Sequence, residues 1–376
     1  MEKVHFMERL LDGVDVEWKK LGEVVVRTKG TKITATQMKK IHKVGAPLKI
    51  FAGGKTVAFV NFEDIPENNI NREPSIIVKS RGNIEFEYYD QPFSHKNEMW
   101  SYYSKDKNIN IKFVYYFLKI YEPYFQNLAS RMQMPQISTP DTDKFEIPIP
   151  PLKVQSEIVR ILDNFTELTA ELTAELTAEL SARKKQYSYY RDTLLSFEEG
   201  EVKWRTLGEV VVIKNGKDWK KLNKGDIPVY GSGGIMEYVD KSNYDKVSVL
   251  IPRKGTITNI FYTEKPFWNV DTIFYTEINE NVLIAKYFYY FMSNFNLENL
   301  STDSTRPSLT QTILKKIIIP IPPLQKQKEI VAILDKFDTL THSISEGLPR
   351  EIALRQKQYE YYRNLLLSFP KKEVEA

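Results

Sequence analysis

The sequence predicts an α+β chain built as a tandem repeat. Two mixed α/β globular blocks are each followed by a long helix, and the two helices pair antiparallel as a coiled coil with pseudo-twofold internal symmetry. Three observations predict this. Four sequence blocks recur in the same order. The globular stretches hold short β-branched and aromatic runs broken by glycine, proline and asparagine. Residues 153–197 and 325–369 carry apolar residues at helical spacing.

The recurrence is the strongest signal. Val16–Val26 (VEWKKLGEVVV) returns 186 residues later as Val202–Val212 (VKWRTLGEVVV). Ile147–Leu152, Glu157–Phe165 and Lys185–Arg191 return 172 residues later as Ile319–Leu324, Glu329–Phe337 and Lys357–Arg363. The helical blocks therefore have equal length, and the 14-residue difference falls inside the first globular block. Ordered self-similarity of this kind marks a duplicated unit. Inside the globular blocks only weak echoes survive. Gly53-Gly54 matches Gly233-Gly234, and Arg81-Gly82 matches Lys254-Gly255. Lys112–Phe117 matches Lys286–Phe291, and Met134–Ser138 matches Arg306–Thr310. Ends and helices thus share one specification while the middles diverge, as expected of one scaffold carrying two recognition surfaces.

Composition narrows the functional classes. The 376 residues suit two or three domains, and 42% hydrophobic with 27% charged residues is the profile of a folded chain. The absence of cysteine excludes disulfides, thiolate nucleophiles and cysteine zinc sites. The four histidines, His5, His42, His95 and His342, are too scattered to predict a metal site. No apolar run is long enough for a membrane helix. The acid-bearing start MEKVHFMERLLDG argues against a signal peptide, so a cytoplasmic protein is expected. The formal net charge is +4, unevenly spread. Residues 16–152 hold 20 basic against 15 acidic side chains, and residues 202–324 hold 16 against 12. Residues 153–201 hold 6 against 10. Basic blocks attract polyanions, though excesses of this size are also ordinary solubility charge.

Strands are expected at Thr56–Asn61, Ser75–Val78, Ile84–Tyr89, Val247–Ile251, Thr256–Tyr262 and Thr272–Tyr275. Residues 111–121 and 284–294 read as short aromatic helices whose tyrosines and phenylalanines belong to a core. Pro150-Pro151 and Pro322-Pro323 precede the long helices, where proline suits a start. The packing stripe is Ile158, Ile161, Leu162, Phe165 and Leu168 in one, and Ile330, Ile333, Leu334, Phe337 and Leu340 in the other. Gly347 and Pro349 are expected to interrupt the second. The first contains three Thr-Ala-Glu-Leu units, ending at Leu172, Leu176 and Leu180. Four residues turn about 400°, so this leucine row drifts by about 40° per unit and the alanines are expected to share the contact. Each unit adds roughly 6 Å of helix, and an unbroken helix of this size spans roughly 67 Å.

Catalytic patterns fail. Gly53-Gly54-Lys55-Thr56 ends like a phosphate-binding loop, but Lys49 stands where its first glycine is required, so it reads as a turn. Glu17-Trp18-Lys19 has a nuclease-like acid and lysine spacing, but its counterpart Lys203-Trp204-Arg205 lacks the acid and points to a structural domain start. Hydrolase, zincin and dinucleotide motifs are missing, as is the Asn/Asp-Pro-Pro-Tyr segment of amino-methyltransferases. No catalytic residue, metal ligand or cofactor is assigned to this chain.

Two variable domains, near-identical helices and a Thr-Ala-Glu-Leu tract make the chain resemble the specificity (S) subunits of type I restriction-modification enzymes, in the subfamily with such repeats in the central helix. The resemblance covers nearly the whole chain. It implies target-recognition domains at 1–152 and 202–324, each reading one half of a bipartite, asymmetric site in double-stranded DNA. It implies that the helical regions 153–201 and 325–376 set the unread spacer and dock two methyltransferase (M) subunits. Restriction (R) translocase subunits would complete the nuclease, and S-adenosylmethionine, ATP and Mg2+ would belong to those partners. Heads at either end of such helices would meet half-sites one to two duplex turns apart, at about 34–36 Å per turn. Candidate DNA contacts in the first domain are Arg27, Lys29, Lys32, Lys39, Lys40, Lys43, Lys79 and Arg81, with Lys79-Ser80-Arg81-Gly82 read as a loop. In the second they are Lys217, Lys220, Lys221, Lys224, Tyr230, Ser232, Arg253, Lys254 and Arg306. Lysines would mostly touch phosphate, and arginine or amide side chains would read bases. The alternatives are a coiled-coil scaffold with heads for a non-DNA ligand, and a non-specific nucleic-acid-binding protein. Deleting Thr173–Leu176 is expected to shorten the unread spacer without changing either half-site, as mapped by genomic methylation; an unchanged spacer would refute the ruler.

Overall fold

The structure, a computed structural model, describes residues 14–129, 135–301, 307–343 and 346–370. The chain forms two compact units, Met1–Leu172 with Leu354–Ala376, and Thr173–Ala353.

In the first unit the recurrent ends meet. Glu17–Lys20 pairs antiparallel with Glu146–Ile149, setting Trp18 opposite Pro148. Leu21 then donates its N–H to the Phe145 carbonyl at 2.8 Å and is fully buried. An antiparallel sheet follows in the order Val26–Arg27, Trp100–Tyr103, Ser75–Lys79, Glu85–Tyr89. The helix Ile111–Ile120 covers it, and Phe113, Val114 and Phe117 join Ile76, Val78, Phe86 and Tyr102 in the main core. A second sheet runs Val57–Val60, Leu48–Phe51, Phe93–His95, with the last two strands parallel. It has its own small core of Met38, Leu48, Ile50, Ala58, Val60 and Ile65, roofed by the helix Ala35–Ile41. Phe51, Ile77, Phe93 and Met99 join the two sheets.

The second unit repeats this plan. Lys203–Thr206 pairs with Ile318–Ile321, and Trp204 lies opposite Pro320. The four-stranded sheet is Val211–Lys214, Ile273–Ile278, Ser248–Pro252, Phe261–Thr263, packed on the helix Ala285–Asn294. The three-stranded sheet is Gly234–Val239, Lys224–Gly231, Trp268–Asn269, again with one parallel pair. The stretch between Gly216 and Lys224 holds no helix, so the extra length of the first block includes the helix Ala35–Ile41. Trp219 and Leu222 pack on Val229, Val239 and Val270 instead. The segment expected to be a strand at Thr256–Tyr262 is a turn up to Ile260, and only Phe261–Thr263 is extended. Gly255 reverses the chain there at φ 81°.

One long helix, Leu152–Leu194, belongs to the first unit up to Leu172 and to the second from Thr173. The second helical region is two helices, Leu324–His342 and Leu348–Leu366, and Gly347 has φ 64° where helix geometry is lost. Within each unit the pairing is antiparallel. In the first, Phe165 stacks on Tyr362 and the Thr166 and Tyr359 hydroxyls are 3.0 Å apart. In the second, Tyr190 stacks on Phe337 while Tyr187 meets His342.

The stripe is narrower than its sequence. Ile158, Leu162, Ile330 and Leu334 are fully buried, and Ile161, Phe165, Phe337 and Leu340 are partly so. Leu168 and Ile333 are 60% and 40% exposed and leave the seam. In the repeat tract Leu172, Leu176 and Leu180 are half-buried. Ala170, Ala174 and Ala178 are exposed, and Thr169 and Thr173 take the shielded positions expected of the alanines. Thr169 and Thr173 stand three residues before Leu172 and Leu176 and share their face, whereas the alanines stand two before and do not.

Two side chains fasten each head to its helix. Gln155, fully buried, accepts from the Asn110 N–H at 2.8 Å and donates to the carbonyls of Asn108 (3.0 Å) and Pro150 (2.7 Å). Gln327 does the same with the Ile284 N–H and the carbonyls of Val282 and Pro322 at 2.8–2.9 Å. Two turns on, Asp163 accepts from Lys112 Nζ (2.8 Å) and Tyr116 (2.6 Å), and Asp335 from Lys286 Nζ (2.7 Å) and Tyr290 (2.5 Å). Burial first, and the carboxylate second, push the Tyr116 and Tyr290 hydroxyls well above the usual tyrosine range. Gln155→Leu is expected to destabilise the first unit by roughly 3 kcal/mol, because it strands buried backbone groups. Hydrogen exchange should show protection lost around residues 108–112 and 150–158, with the second unit unaffected; equal loss in both units would refute a local clamp.

Candidate nucleic-acid interface

In both units the chain leaves the edge strand Val26–Arg27 or Val211–Lys214 through a glycine that lies against the end of the strand Phe93–His95 or Trp268–Asn269. A β-carbon on Gly30 would fall 2.7 Å from the carbonyls of His95 and Lys96, and one on Gly216 would fall 2.0 Å from that of Val270. The next residue anchors the crossing: Thr31 donates to His95 O at 2.7 Å, and Lys217 to Asn269 O at 2.8 Å. Lys29 and Lys32 are thereby held exposed on either side of the first crossing, and Lys217 at the second. His95 is fully buried, its Nε2 3.0 Å from Thr28 Oγ1, and burial lowers its pKa, so it stays neutral.

Lys39 and Lys40 occupy the last turn of the helix Ala35–Ile41. Thr34 and Gln37 cap that helix reciprocally, a signal present in the sequence as Thr-x-x-Gln. Both lysines are exposed. Lys43 follows, with Nζ 3.2 Å from Asp64, and Arg27 lies 3.3 Å from Asp143. Lys220 and Lys221 are exposed after Trp219, and Lys224 is exposed at the start of its strand.

Two candidates are placed otherwise than a contact loop would require. Lys79, read as part of a loop, is the last residue of the strand Ser75–Lys79 and only 7% exposed. Its ammonium lies 2.9 Å from Glu85 and 2.8 Å from Glu87. Burial alone would pull its pKa down, but the two carboxylates outweigh it and keep the group charged. A strand residue facing inward beside two acids has no charge left for phosphate. Tyr230 is half-buried among Phe261 and Phe267. Arg306 lies outside the described residues.

The remaining candidates gather at two equivalent turns. Arg81 is exposed and bridges to Gln136, with Gly82 N–H on Pro135 O and Ile137 N–H on Ser80 O at 2.8 and 3.0 Å. Lys254 is exposed and bridges to Ser308, with Leu309 N–H on Arg253 O at 2.8 Å. Arg81 and Gln136, from two of the sequence echoes, are thus the two sides of one bridge, repeated by Lys254 and Ser308 in the second unit. Thr272 draws the other second-unit candidates together: it receives Arg253 N–H on its carbonyl at 2.8 Å and Ser232 N–H on its hydroxyl at 3.3 Å. Arg253 also lies 5.9 Å over the Phe274 ring. Asn83 and Thr256, exposed one residue past each glycine, were not picked out by charge alone. Among the described residues no group of acids and histidines could hold a metal ion, and no helix is long and apolar enough to cross a membrane.

Two copies of one head-on-helix scaffold, alike at the joints and unlike at their exposed turns, define an internally duplicated protein with two differing heads. Comparison with known proteins says which. The family model described as type I restriction modification DNA specificity domain matches twice, over residues 13–182 and 199–354. The type I restriction enzyme EcoR124I/EcoR124II specificity subunit of Escherichia coli is 37% identical across 100% of this chain and 99% of that protein. The chain belongs to the type I restriction-modification specificity family. The S subunit of the type I system of M. genitalium shares the fold at TM-score 0.56 and 22% identity, covering 96% of this chain and 98% of that one. A chain from a structure describing complex assembly and conformational transition of the type I restriction-modification system does so at TM-score 0.60 and 16% identity, covering 93% and 97%.

Proposed function

We propose that this chain is the sequence-specific DNA-recognition subunit of a type I restriction-modification complex and carries no catalytic site of its own. Residues 1–152 and 202–324 are the two target-recognition domains, each reading half of a bipartite site. The helical regions 153–201 and 325–376 set the spacing and dock two methyltransferase subunits, which restriction subunits join. S-adenosylmethionine, ATP and Mg2+ act in those partners, and the complex works in the cytoplasm, where its DNA is. One observation carries the reading: the specificity-domain family model matches once on each copy of a duplicated scaffold whose joints are the same and whose exposed turns differ.

Exposed Lys29, Lys32, Lys39, Lys40, Lys217, Lys220, Lys221 and Lys224 supply phosphate affinity in this reading. Arg27 and Lys43 would first have to leave the half-buried carboxylates of Asp143 and Asp64. Replacing residues 202–324 by another domain of this family should change one half of the methylated site and leave the other intact. A change in both halves would refute modular reading. Lys39→Ala with Lys40→Ala should lower the slope of log affinity against log salt by up to about 2 units, at roughly 0.9 per phosphate contact, without changing the sequence preferred. An unaltered slope would remove this helix from the interface.

A further inference from the structure

The internal repeat supplies its own control for finding the base-reading positions. Where two copies keep the same backbone, a side chain that differs and faces solvent is not there for folding. The turns at Arg81-Gly82-Asn83 and Lys254-Gly255-Thr256 meet this condition. Each follows a buried strand, Ser75–Lys79 or Ser248–Pro252. Each passes through a glycine in the left-handed region, at φ 75° and 81°. Each is bridged to a second segment, at Gln136 or Ser308, whose next residue, Ile137 or Leu309, is buried. Each ends on a buried isoleucine, Ile84 or Ile257, at 1% and 2% exposure. The backbone is therefore pinned on both sides, while the three turn residues are exposed in both copies.

Local electrostatics leaves the first turn free to act outward. The buried cation beneath it, Lys79, is held by Glu85 and Glu87. Ser80 fixes the strand end through its hydroxyl on the Glu98 carbonyl at 2.6 Å. Glu98 is ion-paired with Lys96. Burial would raise its carboxyl, but Lys96 chiefly, and Arg81 more weakly, pull it down. The second turn sits over Ser232, whose Oγ would be 3.2 Å from a β-carbon on Gly255, and Asn259 Nδ2 donates to Ser232 O at 3.4 Å.

We propose that these two turns are specificity-determining elements. Arg81 with Asn83 in the first unit, and Lys254 with Thr256 in the second, make the hydrogen bonds to base edges. Lysines elsewhere on each head serve phosphate. The chemistry fits the positions. Arginine and lysine pair with guanine O6 and N7, asparagine pairs with adenine N6 and N7, and threonine serves either bond type. A rigid turn holds such groups in place better than a mobile loop. This assignment rests on the DNA-recognition reading above.

The test uses the complete complex, this chain assembled with its methyltransferase subunits, and maps methylated adenines on genomic DNA by long-read sequencing. R81K/N83T transplants the second turn's side chains onto the first, and K254R/T256N does the reverse. Each should alter preference at one or two adjacent base pairs in its own half-site and slow methylation of the original site by about 10-fold or more, the size of one lost side-chain-to-base pair. The single changes Asn83→Thr and Thr256→Asn, at exposed positions, provide the same readout should a double variant assemble poorly. An unchanged motif overturns the assignment, whether the rate is unchanged or falls uniformly across sites. A wild-type complex that methylates no bipartite site would instead refute the recognition reading itself.

Discussion

The architecture depends on one buried glutamine in each unit. Gln155 and Gln327 sit in the first turn of their helices, where backbone groups have no partners within the helix. Each uses its amide to tie the helix entry, the preceding proline carbonyl and the start of the aromatic helix into one hydrogen-bonded point. A buried amide with both ends satisfied resists replacement, because any other side chain leaves several buried groups unpaired. The carboxylates Asp163 and Asp335 add a second point two turns along, each gripping a lysine and a tyrosine of that aromatic helix. Two points fix a direction, so each head is oriented on its helix as well as attached to it. That orientation is what a protein measuring distance along a duplex would need.

With the joints held, the heads are free to vary. The first builds a small roofed core around Met38 and Ile50, and the second packs Trp219 and Leu222 over Val229 instead. His95 and Asn269 occupy equivalent places beneath the glycine crossing, and both are fully buried and hydrogen-bonded. Cores exchange apolar groups of similar total volume at modest cost. Surface turns exchange side chains at almost none. The divergence therefore concentrates between the recurrent ends of each block, which is also where the cationic candidates lie.

The repeat tract is a different kind of element. Its leucines are only half-buried, and Leu168 leaves the seam. Pairing there rests on fewer buried groups than at the heads, where Ile158, Leu162, Ile330 and Leu334 are fully covered. Length can change in such a tract without dismantling a core, because no residue in it is the centre of one.

Much was legible from the order of residues. The duplication, the equal helical blocks, the helix starts after paired prolines, the break at Gly347 and the aromatic core helices all follow from local chemistry or self-similarity, which need no knowledge of distant contacts. Strands without clean alternation were harder. Ser75–Lys79 is buried on both faces, so its cation looked like a loop residue until Glu85 and Glu87 were seen to neutralise it. Gly225 and Pro228 concealed the strand Lys224–Gly231, since breakers are tolerated where a bulge interrupts the ladder. The clamps at Gln155 and Asp163 join residues more than 40 positions apart, and nothing in their immediate neighbourhood announces them. Short-range propensities and copied segments are properties of the chain itself. Which charge is spent inward and which is left facing water depends on the partners that folding brings alongside, and only the packed structure decides it.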